Sequence, residues 1–316
     1  MEAIQVFDRP ASQAFYSVAG RLLFIESLNL ELRSLIVDLF AGWQLTPVSF
    51  PDRSPDIQIS FSCEALPQRI PRNLDTFEIA EGGKCYTGAS GLYLELGGPV
   101  VHLENGRVVS VKVSFTELPR LGDPLFGRAA SFAVCAALRR YGLFDLHSAG
   151  MIEPESGDGV LIIGPSGSGK STLALQLAQG GWSYLSDDEL LLSFRDGAVE
   201  ARGFRSFFAI RGEAQIRHCF EPDSKRMDHA SPGCLLFIRL NGKFRSELEP
   251  LTQAETMTRL ITASPWATYD KSVAGANLQL LSTLARQARG FDLSAGSNLL
   301  EPGSAASIFS ATLNPS

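Results

Sequence analysis

Gly164-Pro165-Ser166-Gly167-Ser168-Gly169-Lys170-Ser171 constrains the fold of this chain more than any other stretch. It meets the pattern G-x-x-x-x-G-K-[ST] at every fixed position. The apolar run Val160-Leu161-Ile162-Ile163 precedes it, and Leu173/Leu177 with Ala174/Ala178 repeat at i, i+4 behind it. The run predicts a buried strand and the repeat predicts a helix. Strand, glycine loop and helix in that order form a phosphate cradle. Glycines let successive backbone N–H groups converge on phosphate oxygens, and the helix N-terminus adds positive potential. The candidates for nucleotide binding are therefore Gly164, Pro165, Ser166, Gly167, Ser168, Gly169, Lys170, Ser171 and the adjoining Thr172. Lys170 is expected to reach the β- and γ-phosphates of a nucleotide, and the Ser171 hydroxyl to ligate Mg²⁺.

The rest of the composition narrows the partners. A chain of 316 residues is long enough for two domains, each with its own core. Its net charge is −6 and no run of like charges stands out, so the basic stripe of a nucleic-acid binder is missing. The opening Met1-Glu2-Ala3-Ile4-Gln5 has neither a basic nor an apolar leader region, and no apolar stretch approaches bilayer length. Cys63, Cys85, Cys135, Cys219 and Cys234 are scattered without C-x-x-C spacing. That usage predicts reduced thiols in a cytoplasmic protein, with no membrane partner. Homo-oligomerisation is left open.

Two textures divide the chain. Residues 1–122 predict a small mixed α+β domain: a helix over Leu28 to Trp43, then short strands such as 56–61, 92–96 and 107–113 in a curled antiparallel sheet. His102 falls in an apolar strand and reads as structural. Leu118 to Pro124 reads as a linker, and residues 123–316 as the catalytic α/β domain. There, Ala129 to Tyr141 predicts a helix whose Arg139-Arg140 complements the helix dipole, with Gly142 as its cap. Thr252 to Thr262 and Asn277 to Gln287 predict outer helices, and the small polar tail after Gly303 predicts fraying.

Two further features lie close to the glycine loop. Leu143 to Glu153 reads as a strand that forms a hairpin with Val160–Ile163. Pairing Glu153 with Val160 sets His147 opposite about Ser166, beside the phosphates. Asp187-Asp188 follows the strand Trp182 to Ser186. A right-handed parallel return places both carboxylates near Lys170, at the strand ends where α/β ligands gather. One carboxylate can hold Mg²⁺ while the other takes the proton of an attacking hydroxyl.

Leu146-His147-Ser148, Gly164 to Ser171 and Ser186-Asp187-Asp188, in this order and spacing, resemble the HPr kinase/phosphorylase family. The resemblance covers roughly residues 125 to 300. It implies a P-loop kinase domain of the HPr kinase/phosphoenolpyruvate carboxykinase-like type, preceded here by the small mixed α+β domain. It also implies ATP- and Mg²⁺-dependent phosphorylation of a serine hydroxyl in a protein or peptide, a small hydroxylated molecule being the other acceptor class. Asp187 would be the general base poised by His147. Asp188 would lie with Ser171 at the metal, and Ser166 and Lys170 at the phosphates. The family's Glu-Ile-Arg-Gly signature stands here as Ala209-Ile210-Arg211-Gly212. Its glutamate is missing, and Glu213 is the nearby substitute as metal contact. Thr172 stands where family enzymes often carry glutamate. Arg211 is the expected transition-state clamp, on a segment Phe204 to Gly212 near the γ-phosphate. His218 to Pro232 reads either as a substrate lid or as a solvated loop. These departures point to a divergent kinase with a substrate other than HPr, or to a nucleotide-sensing binding protein.

Overall fold

The structure, a computed structural model, describes residues 13–49, 51–64, 74–79, 83–120, 122–211, 217–220, 222–301 and 303–313. Two compact units emerge: residues 1–141 with 269–272, and residues 142–268 with 273–316.

The first unit contains strands β1 (Gln13–Val18), β2 (Arg21–Ser27), β3 (Thr46–Pro47), β4 (Ile57–Ser62), β5 (Asp75–Ile79), β6 (Gly83–Gly88), β7 (Gly91–Glu95), β8 (Val100–Glu104) and β9 (Val109–Ser114), with helices α1 (Leu30–Ala41) and α2 (Pro124–Arg139). One sheet runs in the order β3-β1-β2-β4-β9-β8-β7-β6-β5. It is not purely antiparallel, as the sequence suggested, because β4 runs parallel to both β2 and β9. Parallel neighbours need a long crossover. Helix α1 supplies the first, and the β5–β8 meander supplies the second. Asn29 starts α1 by accepting the Leu32 N–H at 2.9 Å, and Leu32, Ile36 and Phe40 form its buried stripe. His102 stacks on Tyr93 with ring centroids 4.0 Å apart. Burial lowers its pKa.

Helix α2 begins earlier than its apolar periodicity suggested. Asp123 caps it through the Leu125 N–H at 2.9 Å, with Pro124 in the first turn. The end of the expected linker is thus a helix cap. Because α2 packs its alanine-rich face on β8 and β9, it belongs to the first unit, and the division falls after Tyr141 rather than after residue 122. Arg139 and Arg140 do more than complement a dipole. Arg140 embraces Asp270 with two guanidinium nitrogens, Nη2 donating to Oδ1 at 3.1 Å, and Arg139 Nη1 lies 3.9 Å from the same carboxylate. The segment 269–272 is thereby fastened to the first unit, with Tyr269 stacked on Phe77 at 4.8 Å.

The second unit holds β10 (Phe144–Leu146), β11 (Ser148–Ile152), β12 (Gly159–Ile163), α3 (Lys170–Gln179), β13 (Ser183–Ser186), β14 (Leu190–Arg195), β15 (Ala198–Gly203), β16 (Phe208–Arg211), β17 (Arg217–Phe220), β18 (His229–Ala230), β19 (Pro232–Leu240), β20 (Glu247–Pro250), α4 (Gln253–Ala263), α5 (Trp266–Tyr269, whose last residue belongs to the first unit), α6 (Ala274–Gln287), β21 (Arg289–Ala295) and α7 (Ser304–Leu313). A six-stranded sheet, β13-β11-β12-β19-β21-β20, is the central layer, and β10-β14-β15-β18 forms a second sheet. Val160 and Ile162 face Leu173, Ala174 and Leu177 of α3, whereas Leu161 and Ile163 face α6 and the second sheet. Strand β12 is buried on both faces, which is why it reads as an unbroken apolar run. Each such side chain contributes roughly 1.5–3 kcal/mol relative to exposure.

The tail after Gly303 does not fray over its described part, residues 303–313. It forms α7, which buries Ala305 and Phe309 at helical spacing in the α3 core. The segment 218–232 is not a free lid over its described part. Tyr184 N–H donates to Lys225 O at 3.0 Å, Met227 N–H donates to Tyr184 O at 2.8 Å, and β18 pairs with β15.

Candidate active site

The glycine loop leaves β12 at Gly164. A Cβ there would lie 2.6 Å from Ser168 Oγ and 2.7 Å from Ile238 O, so only glycine lets the chain turn against β19. Gly169 precedes α3 in the left-handed region at φ +94°. No side chain caps α3, which leaves its first N–H groups directed to the loop. Ser171 and Thr172 lie half-buried in its first turn, and Ser166 and Gly167 are exposed at the loop crest. Ser168 Oγ is buried and has no hydrogen-bond partner among the described residues.

Lys170 is only 6% exposed. Its Nζ donates to Gly164 O at 2.8 Å and to Pro165 O at 3.1 Å, and lies 3.0 Å from His147 Nε2. Burial pushes the ammonium below the usual lysine range, and Asp188 and Asp187 pull it partly back. Both carboxylates therefore act on this one charge.

His147 is the single residue between β10, which pairs with β14, and β11, which pairs with β12. The hairpin register differs from the sequence expectation. Met151, not Glu153, faces Val160, and Ser148 faces Ile163. Glu153 is taken up by the turn: its Oε2 accepts the N–H groups of Glu155 at 3.0 Å and Ser156 at 2.6 Å. His147 thus follows the Ser148–Ile163 pair, beside Gly164 instead of Ser166. An ammonium has only donors, so His147 Nε2 accepts from Lys170 and Nδ1 carries the proton. That Nδ1 lies 3.3 Å from Asp188 Oδ1.

Asp187 and Asp188 reach the site because β13 runs parallel to β12, with β11 between them and antiparallel to both. Both strands end at the same sheet edge. The chain then turns sharply: Glu189 N–H donates to Asp187 O at 3.0 Å, with Asp188 at φ +75° between them. This is a γ-turn of the rare positive-φ kind, strained for a residue with a Cβ. It sends the two side chains apart. Asp187 is 1% exposed, whereas the Asp188 side chain is 38% exposed and faces His147. The sequence reading attached His147 to Asp187; the structure joins it to Asp188.

The remaining candidates are placed unevenly. Arg211 ends β16 opposite Arg217, its side chain lying outside the described residues, as does all of Glu213. Arg205 pairs with Glu189, Nη2 to Oε2 at 2.9 Å, directly behind the γ-turn. That link was missed in the sequence, although Ser186-Asp187-Asp188-Glu189 carried its acidic half.

No family model matches the chain. Over 130 residues it is 30% identical to the HPr kinase/phosphorylase of Neisseria meningitidis, covering 39% of this chain. The HPr kinase/phosphorylase of Neisseria gonorrhoeae matches at 30% identity over 130 residues as well. The chain spans 40% of the length of these curated relatives. The HPr(Ser) kinase/phosphatase structure from Coxiella burnetii aligns at 19% identity over 33% of this chain and 76% of that one, with a TM-score of 0.26. Over the 130 matched residues the chain is HPr kinase-like. Among the described residues, no helix is long and apolar enough to cross a membrane.

Proposed function

We propose that this chain is a Mg²⁺-dependent phosphotransferase that moves the γ-phosphate of ATP to a hydroxyl, a serine of a protein or peptide, in the cytoplasm. The observation that carries this reading is the unbroken link from the glycine loop through Lys170 and His147 to the half-exposed Asp188. It joins a phosphate cradle to a carboxylate that an incoming hydroxyl can reach.

Phosphoryl transfer needs positioning and charge neutralisation more than covalent help from the protein. Lys170 is held where the β- and γ-phosphates would lie, and the unpaired N–H groups at the start of α3 add donors. Asp188, oriented by the His147 N–H, accepts the proton of the attacking hydroxyl. Asp187 is too buried to meet an acceptor, so the two carboxylates exchange the roles read from the sequence. The site's oxygen donors fit a hard cation: the Ser171 hydroxyl and the Asp187 carboxylate, with Asp188 beside them, would hold Mg²⁺. When bound, the ion would neutralise charge on the phosphates. Arg211 is kept as the proposed clamp of the γ-phosphate and Glu213 as the proposed further metal contact.

Ala209, standing where the resemblance calls for glutamate, favours a second reading, a nucleotide-sensing protein without catalysis. Incubation with γ-labelled ATP, Mg²⁺ and source-organism lysate separates the two. Label appearing in protein, peptide or small molecule only with active protein supports transfer and gives the acceptor class. Tight ATP binding with no label moved, in lysates shown to contain hydroxyl acceptors, supports the sensor.

A further inference from the structure

The strained turn at Asp188 needs something to hold it. Positive-φ aspartate persists only where the surroundings over-determine it. A set of hydrogen bonds does this. Ser186 Oγ accepts the Arg205 N–H at 2.8 Å, and its one proton is shared between Arg205 O at 3.1 Å and Asp187 O at 3.2 Å. The Arg205 side chain reaches back to Glu189, Nη2 to Oε2 at 2.9 Å. Glu189 N–H closes the turn on Asp187 O at 3.0 Å. The turn is therefore gripped at both ends by one residue: Arg205 holds Ser186 through its backbone and Glu189 through its guanidinium. Both side chains of the Arg205–Glu189 pair are 15% exposed, so the ion pair is largely shielded from solvent.

From this geometry we infer that Arg205, with Ser186 and Glu189, is the positioning device that presents Asp188 to His147. The inference rests on the phosphotransferase reading for its consequence, though not for its geometry. Arg205 touches neither nucleotide nor acceptor in this role. It acts through the turn, and its loss lets Asp188 relax away from His147 while the glycine loop stays intact.

The test uses the full chain as wild type, Arg205→Met, Arg205→Lys and Ser186→Ala. Each is checked for folding by thermal melting and for ATP affinity by calorimetry. The first readout is the shift that the Asp188 carboxylate, its Oδ1 3.3 Å from His147 Nδ1, imposes on the His147 ring resonances. It is expected in wild type and Arg205→Lys, and lost in Arg205→Met and Ser186→Ala at unchanged ATP affinity. The second readout is kinetic: in Arg205→Met, kcat falls about 100-fold with KM for ATP unchanged, as expected for a misplaced group. An unchanged His147 shift in Arg205→Met overturns the inference, whatever the activity. If Arg205→Met does not fold, Ser186→Ala decides in its place: a lost shift supports the device and a retained one overturns it. If wild type transfers no phosphate yet the shift depends on Arg205, the positioning device stands and the phosphotransferase reading falls.

Discussion

Each unit of this chain places arginine, lysine or histidine against an aspartate, and the two clusters are built to opposite ends. In the first unit, Asp270 is 1% exposed and filled on every side. Arg140 binds both of its oxygens, Ser272 Oγ donates to Oδ1 at 2.8 Å, and Arg139 stands behind. In the second unit, Asp188 is half-exposed, sits on a strained turn, and meets a histidine whose other nitrogen is held by the phosphate-loop lysine. A closed cluster around a buried carboxylate fastens a segment; an open one on a strained backbone is, in the proposed reading, where a proton is taken up. The difference teaches that charge burial alone does not mark chemistry. Accessibility of one partner does.

Breaking the closed cluster is expected to have the largest effect on the fold. Asp270→Ala strands two buried guanidinium groups and should cost about 3–5 kcal/mol in urea unfolding of the first unit. ATP affinity should be unchanged. If ATP affinity falls with stability, the two clusters are not independent and the contrast fails.

Breaking the open cluster should do the reverse. Lys170→Ala removes the cation proposed to meet the phosphates, and transfer should fall roughly 100- to 1000-fold in a labelled-ATP assay. The melting temperature should hold or rise, because the ammonium is buried at an electrostatic cost.

A smaller effect sharpens the comparison through two of the buried thiols, Cys85 in the first unit and Cys234 in the second. Burial pushes both Cys85 and Cys234 up to about 12. The unfolded chain ionises them near their ordinary value of 9.0, so it sheds protons that the folded chain keeps. Their contribution is complete below that ordinary value and is lost as pH rises toward about 12. Urea midpoints of wild type should fall across that window, and Cys85→Ala with Cys234→Ala should flatten the fall. An equal slope in the double variant contradicts the assignment.

What was legible in the sequence follows the same division. The glycine loop and α3 were legible because steric demands at Gly164 and Gly169 leave few alternatives to glycine. The approach of His147 and the carboxylate pair to the loop followed from strand order alone. The register of the β11–β12 hairpin was not legible, since the Glu153 side chain closes the turn and periodicity carries no sign of that. Nor was the turn at Asp188: left-handed backbone is read from glycine, and here an aspartate takes it. Helix α2 reads the same whichever unit it packs on, so its ownership appeared only in the contacts. The tail misled because alanine and serine look loose by composition, although Ala305 and Phe309 share one helical face.

The most direct measurement is single-turnover transfer from γ-labelled ATP by wild type, Asp188→Asn and Asp187→Asn, with ATP affinity measured beside it. The account predicts that Asp188→Asn binds ATP as wild type does and transfers at least ~100-fold more slowly, as expected when a proton acceptor is lost. Wild-type transfer rates in Asp188→Asn would contradict the claim that the carboxylate facing His147 takes the hydroxyl proton.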